Sequence, residues 1–278
     1  MSAPAEQATL DPTIELLRLW SVTTLIDMAL GMGPGLVNWI VGQVAGAAID
    51  KRKTLDAILA DSGPEDARKW LADQRWAKSE KAKVRGTDVH AAAEAIALGV
   101  EPVIVPGTEA YVEQFTRWLR KWQPEYLLAE CPVYNVERRY AGTTDGVIRM
   151  AGYDRPLIVD YKTTDKGPDA KSRPPYPEVA LQLCAYARAP EIGLMSEQRY
   201  DQGRRYYLYD PTQPHERMPE IGGALCIVIS PFDCFAVPVR IDDDVWRAFL
   251  HAQALARFRS ETTTRLFGGV LSAHEVES

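Results

Sequence analysis

The sequence predicts an α/β (α+β) protein, with a mixed central β-sheet flanked by helices and a helical N-terminal region. Two observations predict it. Up to Trp122 the chain reads mainly as helix-forming segments separated by Gly/Pro breaks. From Tyr126 onward it changes to short apolar or alternating runs rich in β-branched and aromatic residues, as strands are, with helix-patterned stretches among and after them.

Taken in order, Thr13–Leu30 has the apolar spacing of a helix in its first half, whereas Ser21-Val22-Thr23-Thr24 is β-branched enough to leave the second half open. Gly31-Met32-Gly33-Pro34-Gly35 is a break. Leu36–Ala48 and Leu55–Ala60 read as helices, and Ser62-Gly63-Pro64-Glu65 as the start of another running to about Asp73. After Arg85-Gly86-Thr87, the Ala-rich run Asp88–Leu98 favours a helix stopped by Gly99, and Thr108–Trp122 another that ends before Pro124. The expected strands are Tyr126–Val136, Arg139–Met150, Pro156–Thr163, Arg205–Tyr209, Ala224–Ser230 and Phe235–Ile241, in a mostly antiparallel sheet. Tyr176–Ala189 and Asp242–Arg259 read as helices opened by Pro177-Glu178 and by three acids.

With 278 residues, 46% of them hydrophobic, and no internal repeat, a single domain is the economical organisation. It divides into a helical region 1–84, a core 85–190, the remaining sheet and C-terminal helix 191–267, and a polar tail 268–278 that is expected to be flexible. The N-terminus has no basic patch followed by an apolar run, so no secretory signal is read and a cytoplasmic location is expected. Met32–Ile49 is interrupted by Gly33, Pro34, Gly35, Asn38 and Gln43, so no membrane span is expected. Cys131, Cys184, Cys226 and Cys234 form no CxxC pair and read as buried free thiols. A net charge of −6 argues against a domain that is basic throughout, but leaves room for a local basic groove.

Chemistry concentrates in one hairpin. Gly142-Thr143-Thr144-Asp145-Gly146-Val147-Ile148 leads through a turn to Leu157-Ile158-Val159-Asp160-Tyr161-Lys162-Thr163. Asp160 and Lys162 are two apart on a strand and share a face, with Tyr161 opposite. Strand pairing can bring Asp145 beside them. The apolar run before Asp160 marks a buried strand, where carboxylates are costly unless a cation compensates them. Hard oxygen ligands suit Mg2+ or Mn2+. A surface hairpin with a cross-strand ion pair is the plainer alternative.

These residues, with Gln182 and Tyr186 in a Q-x-x-x-Y helix and Gly86-Thr87-Asp88-Val89-His90 upstream, resemble the RecB-like branch of the PD-(D/E)XK nuclease superfamily, phage exonucleases in particular. The resemblance covers about the middle third of the chain. It implies a restriction-endonuclease-like core and metal-dependent hydrolysis of DNA. By that resemblance His90, Asp145, Asp160 and the backbone carbonyl of Tyr161 bind the metal, Lys162 is the catalytic lysine, and Gln182 and Tyr186 position the lysine or the DNA strand. Glu94 and Glu130 are weaker candidates of the same kind. The chain departs from the CRISPR-associated members that carry an iron–sulfur cluster, since only Cys226 and Cys234 lie in the C-terminal part, and no such cluster is expected. The expected partner is DNA, linear duplex or single strand, together with a single-strand annealing or recombination protein. Basic residues at Lys166, Lys171 and Arg173, and at Arg138, Arg139, Arg149 and Arg155, would offset the acidic total near the DNA. Exonuclease, endonuclease and a silent DNA-binding scaffold all stay open at this point.

Overall fold

A computed structural model describes residues 16–31, 33–165, 167, 175–193, 197–262 and 266–267. The chain opens with strand β1 (Leu17–Ser21) and helix α1 (Val22–Leu30), followed by α2 (Pro34–Asp50), α3 (Arg52–Asp61) and α4 (Gly63–Asp73). A 3-10 turn leads into α5 (Ala77–Ala97), and then come α6 (Glu109–Trp122), β2 (Glu125–Asn135), β3 (Tyr140–Arg149) and β4 (Leu157–Thr163). Helix α7 (Glu178–Ala187) precedes β5 (Glu191–Gly193), β6 (Glu197–Asp201), β7 (Arg204–Tyr209), β8 (His215–Arg217), β9 (Gly223–Ile229) and β10 (Cys234–Val239), and α8 (Asp243–Arg257) runs into a π-helical turn over Phe258–Thr262.

Among the described residues the strands form one ten-stranded mixed sheet in the order β10-β9-β4-β3-β1-β7-β6, with β2 on the other edge of β3 and β5 and β8 beyond it. The pairs β1–β3 and β4–β9 are parallel and the rest antiparallel. One face carries α1, α7 and α8, whose Val22, Leu25, Leu183 and Phe249 bury Val147 and Ile158. The other carries α5 and α6, whose Val89, Ala93, Phe115 and Trp118 bury Val159, Tyr161 and Ile227. The observed class is therefore the expected one, a mixed sheet flanked by helices. All four cysteines are free and buried, and no single described helix is long and apolar enough to cross a membrane.

Two expectations need correction. Thr13–Leu30 does not begin as a helix: among its described residues, Leu17–Ser21 is a strand slotted between β3 and β7. Region 1–84 thus contributes a strand to the central sheet. Leu19 and Ser21 are buried and Arg18 is exposed, a two-residue period that so short a segment shares with helical spacing. Secondly, the helix expected over Asp88–Leu98 starts earlier, because α5 runs from Ala77 through Arg85-Gly86-Thr87 to Ala97. Gly86 serves close approach: a Cβ there would stand 3.2 Å from Thr163 Oγ1 on β4. Strands β5, β6 and β8 are not legible in the sequence, being short or mostly polar.

Candidate metal centre

The site lies where the sheet opens. β3 pairs with β4 only over Gly146↔Val159, Val147↔Ile158 and Ile148↔Leu157, and along the same path through the sheet it meets β1 only at Tyr140 and Ala141. Between these stretches the ladder is interrupted, and Asp145 occupies the fork. Its Oδ2 accepts the Tyr161 backbone N–H at 2.5 Å, replacing the missing ladder bond.

β2 shapes the same point from its other side. Glu130, opposite Asp145 in the register, has φ 43°, a left-handed conformation inside a strand. Leu128 and Val133 face the same helices although their positions differ by an odd offset, so the usual alternation slips by one between them. The slip takes Glu130 out of the regular pleat, and the ligand atoms of His90, Glu130 and Asp145 all lie within 4.8 Å of one another.

Helix α5 supplies His90, whose Nδ1 is 3.7 Å from Asp145 Oδ2. Its ring also hydrogen-bonds the Tyr161 backbone and packs edge-on against the Tyr161 ring at 5.7 Å. Burial, the largest influence, lowers the His90 pKa, which favours the neutral imidazole that ligates metals. Tyr161 points away from Asp160 and Lys162 as its position predicts, and its hydroxyl meets that of Tyr126 at 2.7 Å.

On the α7 side, Asp160 is 2% exposed. Its Oδ1 accepts from Gln182 Nε2 at 2.8 Å, and its Oδ2 lies 2.6 Å from Lys162 Nζ without a hydrogen bond of regular geometry. Burial opposes charge on Lys162, but the Asp160 carboxylate outweighs it and the net pKa is raised. Gln182 Nε2 also donates to the Tyr186 hydroxyl at 3.3 Å. Tyr186 is 2% exposed and reaches no open groove. It lies on Gly142, where a Cβ would come within 2.3 Å of its Cε1, so Gly142 must be glycine for α7 to sit at this distance from β3.

The predicted residues therefore converge, with a different division of labour. His90 and Asp145 group with Glu130, which the sequence marks only weakly, while Asp160 faces Lys162 and Gln182 beside that group. Gln182 touches Asp160 rather than the lysine. Glu130 could have been raised in rank only by its left-handed backbone, which no local pattern announces. The carboxylates crowd one another: burial first, then Asp160 and Glu130, raise the Asp145 pKa well above normal. Burial, then Glu94 and Asp160, push Glu130 up to about 7. Buried acids this close, an imidazole held neutral and an incompletely satisfied Asp160 Oδ2 form a donor set that a divalent cation fits.

A cavity of about 500 Å³ lies against this centre, lined by Lys83, Gly86, Thr87, His90, Lys162 and Thr163 among others. Lys166, Lys171 and Arg173 lie outside the described residues. Of the other basic candidates, Arg149 pairs with Glu125 at 3.7 Å, Arg155 with Glu220 at 2.7 Å and Arg138 with Glu137 at 3.7 Å. Arg149 and Arg155 flank the β3–β4 turn, at the opposite end of the hairpin from the fork. No protein-family model matches the chain, and neither does any curated protein.

Proposed function

We propose that the protein is a metal-dependent deoxyribonuclease, a phosphodiester hydrolase of the PD-(D/E)XK type, working as an exonuclease in recombination or end processing. The observation that carries this reading is the fork between β3 and β4, where His90, Glu130 and Asp145 come within reach of one cation beside the Asp160–Lys162 pair. A mixed sheet with helices on both faces and the D-x-K strand at its centre is also what the resemblance requires.

In this reading His90, Glu130 and Asp145 hold Mg2+ or Mn2+, with Asp160 and the Tyr161 carbonyl as further ligands. The bound cation supplies Lewis acidity, polarising a phosphate oxygen and lowering the pKa of a water. Lys162, positively charged at neutral pH, stabilises negative charge developing on the phosphate and orients the attacking water. Gln182 holds the Asp160 carboxylate, and through it the position of Lys162. Tyr186 fixes Gln182 from within the core. DNA is the partner, with a single-strand annealing or recombination protein as a second.

The test is degradation of linear and closed-circular duplex DNA by wild type and Lys162→Ala, with Mg2+, with Mn2+ and with EDTA. Metal- and Lys162-dependent loss of linear DNA alone is the expected result, and cutting of the circle would make the protein an endonuclease. Absence of any metal-dependent cleavage would refute the proposal in favour of a silent binding protein.

A further inference from the structure

A second charged feature lies away from the fork. Arg18, Trp20, Arg139 and Arg257 line a cavity of about 480 Å³, and no carboxylate is among its described lining residues. They come from separate parts of the chain: β1, the β2–β3 turn and the C-terminal end of α8. In a chain of net charge −6, gathering three guanidiniums around one cavity is costly unless an anion is its complement.

How each arginine is held indicates what remains free. Arg18 bridges to Asp201 at 2.8 Å, and its guanidinium lies 4.3 Å from the Trp20 ring and 4.0 Å from the Tyr206 ring. Arg257 donates to the Arg138 backbone oxygen at 2.8 Å, which fixes it without neutralising it. Arg139 is exposed, sits in a left-handed backbone conformation at φ 55°, and has no ion pair among the described residues. Two guanidiniums are thus uncompensated among the described residues, next to a third that is paired with Asp201 and lies against two aromatic rings. Guanidinium forks match phosphate oxygens bidentately, and aromatic rings beside cations are the usual partners of a single strand's bases.

The cavity also lies along the strand that carries Asp145. Trp20 pairs with Tyr140, which stands five positions before Asp145 on β3, a separation of ~17 Å at strand rise. A nucleic-acid strand covers that in about five nucleotides at 3.4 Å each.

The geometry points to an anchoring site for the phosphate backbone of a single nucleic-acid strand at Arg18, Trp20, Arg139 and Arg257, separate from the cleavage centre. The choice of ligand rests on the nuclease reading; the cavity and its charge do not.

The test is binding of a labelled 20-nucleotide single strand, followed by fluorescence anisotropy in EDTA, so that no cleavage is needed. Wild type, Arg139→Glu and the milder Arg139→Gln are compared across a salt series, with circular dichroism as the check on folding. Arg139→Glu is expected to weaken binding about tenfold and Arg139→Gln less. Both should flatten the dependence of log K on log salt by about 0.7 for each phosphate that is no longer neutralised. Unchanged affinity and salt slope in both folded Arg139 variants would overturn the site, even if wild type degrades DNA. Competition by polyglutamate as effective as by unlabelled strand would overturn the nucleic-acid assignment and make the cavity a dock for an acidic protein. If wild type cleaves nothing but Arg139 controls strand binding, the nuclease reading falls and the anchoring site stands.

Discussion

Glu130→Gln separates a metal ligand from an ordinary strand residue, because the two roles predict opposite effects on stability. In the metal-free protein the Glu130 carboxyl is raised from 4.5 to about 7, by burial first and then by Glu94 and Asp160. The folded chain therefore holds this proton more tightly than the unfolded chain. Stability from Glu130 is at its greatest below about pH 4.5 and declines as pH rises to about 7, above which both states are ionised. The full displacement corresponds to about 3 kcal/mol. Partial solvent access of the side chain reduces the expected effect to roughly 1–2 kcal/mol. Gln removes the charge and keeps the shape. In EDTA, Glu130→Gln should be more stable than wild type by that amount at pH 8 and indistinguishable from it at pH 4. In saturating Mn2+ the order should reverse, since a cation at one hundred times its Kd adds about 2.7 kcal/mol to wild type and less to a variant lacking a ligand. Urea unfolding followed by circular dichroism at the two pH values, with EDTA and with Mn2+, measures both differences. A variant less stable than wild type at pH 8 in EDTA would refute the electrostatic argument. A variant that keeps its full Mn2+ stabilisation would refute the ligand assignment.

Further expectations follow from the same geometry. Gly142→Ala forces a Cβ to within 2.3 Å of Tyr186 Cε1, and since Tyr186 is buried the clash should cost about 1–3 kcal/mol in urea unfolding. Gln182→Ala removes the hydrogen bond that holds Asp160 Oδ1; cleavage or Mn2+ affinity should fall roughly 10–100-fold with the fold retained, and an unchanged rate would remove Gln182 from the site. Asp145→Asn should abolish Mn2+-dependent stabilisation in thermal unfolding while leaving the metal-free protein as stable or more so, because burial and neighbouring acids already disfavour its charge.

The acid-bearing hairpin is legible because its signals are local. Two-residue periodicity puts Asp160 and Lys162 on one face and Tyr161 on the other whatever the rest of the fold does, and the structure agrees, with Lys162 Nζ 2.6 Å from Asp160. Helices α6, α7 and α8 announce themselves through apolar spacing and their ends, as where Asp242 caps α8 by accepting from the Asp244 and Val245 amides. Those features depend on residues a few positions apart, and the sequence by itself determined them.

Tertiary structure decided what depends on neighbours from distant parts of the chain. Leu17–Ser21 is a strand because an open edge of β3 and the edge of β7 receive it, and no five-residue pattern reveals that vacancy. Gly86 and Gly142 serve close approach, to Thr163 and to Tyr186, which are remote in sequence. Glu130 joins His90 and Asp145 only because a left-handed residue shifts the alternation of β2 at the point where β3 and β4 part. The arginines of the second cavity meet because the β1–β3 register and the end of α8 bring three separate segments together. Strand alternation and helical period are encoded residue by residue, whereas the convergence of charges at one point is set by the packing of the whole sheet.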